Sequence, residues 1–440
     1  MKVTVPNIAL PEVEYTFHCL LGEFLGINYK LEVDKSCEDF TISNRGKNIV
    51  IKNHFFKNDH PDSWYQLAQI PNQISRGMLD LGGKKYLIHS IFGKAKLSRV
   101  GEGYILEADI IASTFFMLTR WEEAVNPKRD NHQRFSAKDA LAYQQGFLQD
   151  AIVNEYVEFL WKLLEKIGVG QKRRKRSFQI VPTHDVDVPF LFSSLPSSLY
   201  TITRHLVDPT FFRDGVNYLN FFFNRKDPND THAVFLDGAE KLGTPAHFFF
   251  MSGGKNKYDP KDQLTSPSVR KLIQKIKERG HSIGLHPSYE SFDNEELFKQ
   301  EKDRLQRVAN VEIKTGRQHY LRFEVPTTWN LWENADMTWE SSMSYADDIG
   351  FRCGVCYPFP VFDIFQRKRL SLYERPLILM EGTLGMYLNL SLEEAQKQVE
   401  ALVQEVEKYQ GEFVFLWHNS SLNLRIFARY NPILFDLYKS

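Results

Sequence analysis

The chain is poor in cysteine, with Cys19, Cys37, Cys353 and Cys356 alone in 440 residues. So few exclude a disulfide framework and suit a reducing compartment. Cys353 and Cys356 have the spacing of a metal knuckle, but no second Cys or His pair stands at a matching distance. A structural or incidental role is expected for them. An excess of charge is also missing: Lys and Arg number 55, Asp and Glu 55. That balance argues against a broad phosphate-binding face and so against nucleic acid as a partner. The exception is the run Lys172, Arg173, Arg174, Lys175, Arg176, read as a solvated linker or strand flank. No uncharged apolar run approaches ~18 residues, so no membrane span is expected. Met1 to Leu10 lacks a basic start leading into an apolar core. No export signal is read, and a cytoplasmic location is expected.

What the sequence does hold is apolar material: 42% hydrophobic residues, 34 of them Phe. A chain of this length exceeds the usual single core, and two domains are expected. Residues 1–172 mix short strand-like runs (Asn48 to Lys52, Lys85 to Ile88) with Gly and Asp turns, then turn helical. Helical spacing places Ile110, Phe115 and Leu118 on one face, and a second helix is predicted from about Gln149 to Lys166. This part reads as an α+β accessory domain without a catalytic constellation. From residue 176 to 440 the texture alternates between strand and helix, the pattern of an α/β fold. Strands are predicted at Phe178–Val181, Ala246–Met251, Ser282–Leu285 and Glu412–His418. Helices are predicted from Pro267 to Glu278, and from a capping box at Ser391 and Glu394 to Tyr409. Polar residues gather just past the strands' carboxyl ends, the edge where α/β proteins place chemistry.

Asp185 and Asp187 follow the first of these strands, two residues apart. In extended chain both point to one side. Two carboxylates so placed repel unless a cation or shared proton relieves them. A metal on one with the other left as a base is one resolution; a turn with Asx hydrogen bonds is the other. His286 follows the strand Ser282–Leu285, and Pro287 favours a helical turn there, which would set Glu290 on the same side. His286, Glu290 and Asp187 could then share one cation. A hydrogen-bonded core histidine is the plainer alternative for His286, and for His418 at the end of Glu412–Trp417. Arg317 is expected to pair with an acid.

Taken in order, these short motifs resemble the polysaccharide deacetylase family, the NodB-homology or carbohydrate esterase family 4 group. Thr183-His184-Asp185-Val186-Asp187 is similar to the family's opening motif. Gly280-His281-Ser282-Ile283-Gly284-Leu285-His286-Pro287-Ser288-Tyr289-Glu290 is similar to its Gly-His-Glu-Ile-Gly-Asn-His-x-x-x-His, with Glu290 where a metal-binding His is usual. Arg317-Gln318-His319-Tyr320 resembles Arg-x-Pro-Tyr, again with one change; Glu340-Ser341-Ser342, Gly350-Phe351-Arg352 and Leu416-Trp417-His418 resemble later motifs.

The resemblance spans residues 176–440. It implies a distorted (β/α) barrel of about seven strands and a metal-dependent hydrolase that removes acetyl groups from an N-acetylated sugar. It implies Asp185 as base, Asp187, His286 and Glu290 as metal ligands, His418 as general acid and Arg317 as the partner of Asp185. Zn²⁺ is the family's ion, and Glu290 would admit Mn²⁺ or Mg²⁺. His281 is a weaker candidate for the metal. Tyr289, Tyr320 and Trp417, with Tyr258, Trp329 and Trp332, are candidates to stack on sugar rings or to fill the core. The absence of an export signal points to a nucleotide- or lipid-linked sugar as substrate. The competing expectation is a deacetylase-like protein without activity that binds sugars or serves assembly.

Overall fold

Two sheets of different build lie on either side of residues 169–178 in the computed structural model, which describes residues 1–57, 63–192, 195–207, 212–224 and 226–439. The first part contributes β1 (Lys2–Val5), β2 (Lys30–Val33), β3 (Phe40–Asn44), β4 (Lys47–Ile51), β5 (Ser75–Asp80), β6 (Lys85–Ser90), β7 (Gly93–Val100) and β8 (Gly103–Ala108). Six of these form a mixed sheet in the order β2-β1-β3-β4-β8-β7, and β5 pairs with β6. The helix Ile110–Thr119 is buried at every residue, and Ile152–Lys166 packs its apolar face into the same core.

The second part contributes β9 (Gln179–Val186), β10 (His247–Met251), β11 (Ser282–His286), β12 (Thr315–Gly316), β13 (Trp339–Glu340), β14 (Phe359–Asp363), β15 (Lys368–Glu374), β16 (Leu379–Met380) and β17 (Glu412–Leu416). They form one curled sheet in the order β14-β15-β13-β12-β11-β10-β9-β17-β16. All neighbours run parallel except β14 with β15. Strand β9 is buried from Ile180 to Val186, because helices or loops cover both faces of a parallel sheet. The helix Pro267–Glu278 begins and ends where its apolar spacing predicts, capped by Ser266. Ser391 and Glu394 form the expected capping box for Leu392–Lys408.

The expected seven-strand barrel is corrected to an open, half-barrel sheet of nine strands, whose edge strands β14 and β16 do not pair with each other among the described residues. Strands β12, β13 and β16 are two residues long each. Pairing that thin gives little hydrogen bonding with which to wrap the sheet shut. The N-terminal part packs against the β14 edge. Phe115 meets Phe362 of β14 edge-on, with ring centroids 5.4 Å apart, and the Tyr15 hydroxyl donates to the Pro360 carbonyl (2.8 Å). Between β13 and β14 the backbone N–H of Gly350 donates to Ile378, and that of Phe351 to Leu148. Gly350 has φ 137°, and a Cβ there would stand 2.5 Å from the Leu148 carbonyl oxygen. Two buried guanidinium groups cross the same junction: Arg120 donates to the Tyr345 hydroxyl (2.9 Å), and Arg352 Nε to Glu123 (2.9 Å). One continuous apolar cluster runs through both parts.

The basic run is exposed at Lys172, Arg174 and Lys175, as a solvated flank would be, and partly packed at Arg173 and Arg176. Arg173 pairs with Glu158, the Arg174 N–H donates to Leu25, and the Arg176 guanidinium lies 4.0 Å from the Tyr357 ring centroid. Cys353 and Cys356 are buried and free, in keeping with a structural role. Among the described residues, no helix is long and apolar enough to cross a membrane.

Candidate metal centre

The parallel strands deliver their polar residues to one edge. Asp185 and Asp187 come from the end of β9, His286 from β11, Arg317 to Tyr320 from the turn after β12, Glu381 from β16 and His418 from β17. Asp185 and Asp187 do reach the same point. His286 Nε2 lies 3.7 Å from Asp185 Oδ2 and 3.2 Å from Asp187 Oδ1. His184, close by in sequence, serves the core: its Nδ1 meets the Trp417 carbonyl and its Nε2 the Tyr438 hydroxyl.

Each imidazole is oriented by its far nitrogen. His286 Nδ1 lies 2.7 Å from the Arg317 carbonyl oxygen, which can only accept, so Nδ1 carries the proton. Its Nε2 lone pair then faces two carboxylates. His319 Nδ1 lies 3.1 Å from Asp259 Oδ1, which also accepts the Tyr289 N–H, and again Nε2 is left free. One ligand atom from each of Asp187, His286 and His319 lies within 4.8 Å of the others. Asp187 Oδ1 is buried and has no hydrogen-bond donor in suitable geometry. Lone pairs converging on a carboxylate repel unless a proton or cation sits among them. Two imidazoles locked through Nδ1 and an orphaned carboxylate oxygen therefore fit a divalent ion.

Beside this cluster, Asp185 Oδ1 accepts from Arg317 Nη1 at 2.9 Å. Arg317 is fully buried and three more of its donors are used: Nε on the Ser341 carbonyl, Nη2 on the hydroxyls of Thr183 and Ser341. Asp185 is thus fixed against a guanidinium. His418 Nδ1 lies 2.7 Å from Glu381 Oε1, which also accepts from the His418 N–H and the Ser421 hydroxyl. Its Nε2 faces Asp187 Oδ2 at 3.8 Å.

The charges shift one another. Burial lowers the His418 imidazole, but Glu381, Asp187 and Asp185 outweigh it and push it up to about 10. For Asp187, burial raises the carboxyl, while the rings of His286, His319 and His418 hold it below the usual carboxylate range. Burial likewise opposes and Asp185 and Asp187 reverse the shift of His286, which is raised.

Several expected residues lie elsewhere. Glu290 is not brought to the cluster: its side chain is 55% exposed, accepts from Asn256 Nδ2 and stands 3.8 Å from Arg322. The helical turn begins at Tyr289 rather than Pro287, with Ser288 extended, and this aims Glu290 outward. His319 occupies the place reserved for it. His281 sits at the amino end of β11 and accepts the Ala246 N–H. Trp417 is buried outside the pocket, as are Trp329 and Trp332. Tyr289 packs beneath Arg322 and beside Tyr258, while Tyr320 lines the pocket.

The pocket has a volume of about 230 Å³. Asp187, His286, His319 and His418 line it together with Leu321, Met380, Leu416 and Phe427, and with Arg134 from the N-terminal part. Sequence reasoning missed His319, Asp259, Glu381 and Arg134. A signal existed for two of them. His319 stands in the Arg317 motif, and Glu381 directly follows the apolar run Leu377–Met380, as Asp187 does its own strand. Asp259 and Arg134 lie in loops with no periodicity to mark them.

Residues 1–168 match a family of unknown function (DUF7033). No curated protein matches the chain. Among solved structures, a putative polysaccharide deacetylase from Mycobacterium smegmatis is similar at 16% identity and a TM-score of 0.40, over 60% of this chain and 83% of that one. Puue allantoinase is similar at 10% identity and a TM-score of 0.36, over 59% of this chain and 82% of that one.

Proposed function

We propose that the chain is a metal-dependent hydrolase that removes acetyl groups from an N-acetylated sugar. The observation that carries this reading is the convergence of His286, His319 and Asp187 with Asp185 held free beside them. Sites built for structure alone close their coordination shell; three ligands leave positions for water and substrate. The donor set of two imidazoles and one carboxylate favours Zn²⁺ over Mg²⁺ more than a set with Glu290 would. Held by Asp187, His286 and His319, such an ion would polarise an acyl carbonyl and lower the pKa of a water molecule.

The chain's own residues supply the rest. Asp185 takes a proton from the attacking water, and Arg317 holds it aimed. His418, its Nδ1 held by Glu381, turns Nε2 toward the cluster and gives a proton to the departing amine, which leaves poorly as an anion. The apolar residues of the lining suit an acetyl methyl. Residues 1–172 and 176–440 are proposed as two domains that share one core, the second holding the reacting groups.

Acetate release from N-acetylated sugars, measured with the metal content of the purified protein, tests the reading. Asp185→Asn is expected to lower kcat by ~10²–10⁴-fold while bound metal stays constant. A wild-type protein that holds metal but frees no acetate from any such sugar would sink it.

A further inference from the structure

The pocket's lining is not all built from the sheet that carries the metal ligands. Arg134 belongs to the N-terminal part, yet among the described residues it is the one Lys or Arg on that lining. It is 7% exposed and held from several directions. Nε donates to Asp130 Oδ2 (2.8 Å), and Nη2 lies 2.7 Å from the same oxygen. Nη1 donates to the Tyr320 carbonyl (3.0 Å) and Nη2 to the Tyr387 hydroxyl (2.9 Å). Tyr320 follows β12 and Tyr387 follows β16, so one guanidinium ties two sides of the open sheet. Neighbouring bonds fix the segment as well. Arg322 Nε donates to the His132 carbonyl (2.9 Å), and the Ala137 N–H to Asp347 (3.0 Å).

A guanidinium has five N–H groups. The contacts above use four, leaving one on Nη1. The Tyr387 hydroxyl accepts from Arg134, so its own proton is free to donate. Met386 and Phe427 line the same pocket with apolar side chains. A ligand that satisfies this wall has hydrogen-bond acceptors on one edge and an apolar face, as a pyranose ring does.

We propose that the N-terminal part of the chain completes the substrate pocket, and that Arg134 is a specificity-determining residue that binds acceptor oxygens on the substrate beyond its acyl group. The assignment of the acyl group to the metal cluster rests on the hydrolase reading; the binding role of Arg134 does not. Residues 1–168 thereby present part of the site that reads the substrate.

The test uses the full chain with N-acetylglucosamine as probe. Kinetics are measured in the active protein, and binding by titration in the Asp185→Asn background. Loss of a hydrogen bond from a charged donor corresponds to about 10- to 100-fold in affinity. Arg134→Gln is expected to raise KM and Kd by that factor with kcat changed far less. Tyr387→Phe, which leaves the Arg134–Asp130 pair in place, is expected to raise both by about 3- to 10-fold. A purely structural role would lower kcat and the folded fraction together and leave Kd of the folded fraction unmoved. Unchanged KM and Kd in both variants would overturn the proposal, as would failure of the Asp185→Asn chain to bind the sugar. Binding that depends on Arg134 in a wild-type protein releasing no acetate would instead remove the hydrolase reading and leave this one standing.

Discussion

At the scale of single residues, His319 rather than Glu290 stands where it could hold a metal ion with Asp187 and His286. Glu290 is exposed and bonded to Asn256, whereas His319 is buried and aimed by Asp259. His319→Ala is therefore expected to weaken Zn²⁺ binding by more than about tenfold, and Asp259→Asn by about 10- to 100-fold, the usual cost of losing a partner that orients a ligand. Glu290→Ala should leave the isotherm unchanged. Titration calorimetry checks all three, and a metal affinity that tracks Glu290 would reverse the ligand set. Much of the centre was legible in the sequence, because Asp185, Asp187, His286 and His418 each end an apolar strand. What could not be read was the direction of the turn after His286. It depends on Ser288 staying extended while the Glu301 carboxylate accepts its N–H, a contact made thirteen residues away.

At the scale of elements, β13 and β15 bring two buried carboxyl groups together. Glu340 and Glu374 are fully buried, and the Trp329 indole N–H lies within hydrogen-bond distance of both. Burial first, and then the charge and hydrogen bond of Glu340, raise Glu374 well above the usual carboxylate range. A carboxyl raised on folding contributes stability below its unfolded pKa of about 4.5 that is lost as pH rises through the folded value. Glu374→Gln, which keeps a neutral group in place, is expected to flatten the decline of Tm with pH above that point. An unaltered slope in thermal melts from about pH 5 to 9 would show that the pair carries no such linkage. The elements themselves were well foretold where caps and apolar spacing agree, as in Pro267–Glu278. The two-residue strands β12, β13 and β16 left no periodicity to read, and with them the open sheet stayed hidden.

At the scale of the whole molecule, buried charges fasten the two parts. Glu123 accepts from Arg352 across the junction and from Arg120 beside it. Burial raises this carboxyl, but the two guanidinium groups hold it down at about 2. A depressed carboxyl contributes stability above its unfolded pKa of about 4.5, lost as pH falls toward 2. Removing one partner of a buried pair costs about 3–5 kcal/mol, so Arg352→Ala should lower Tm and blunt the acid sensitivity. With one apolar cluster throughout, calorimetry of the wild-type chain is expected to show a single transition. Two well-separated transitions would show that the parts unfold independently.

The helix Ile110–Thr119 has a further bearing, on how the chain is made. Its partner β14 is translated roughly 240 residues later, which at 5–20 residues per second is a wait of about 12–48 s. Throughout that interval the nascent protein carries Phe115 with Tyr15, Phe56 and Tyr65 beside it but without Phe362. Shielding of that face on the ribosome is therefore expected to raise the yield of folded chain.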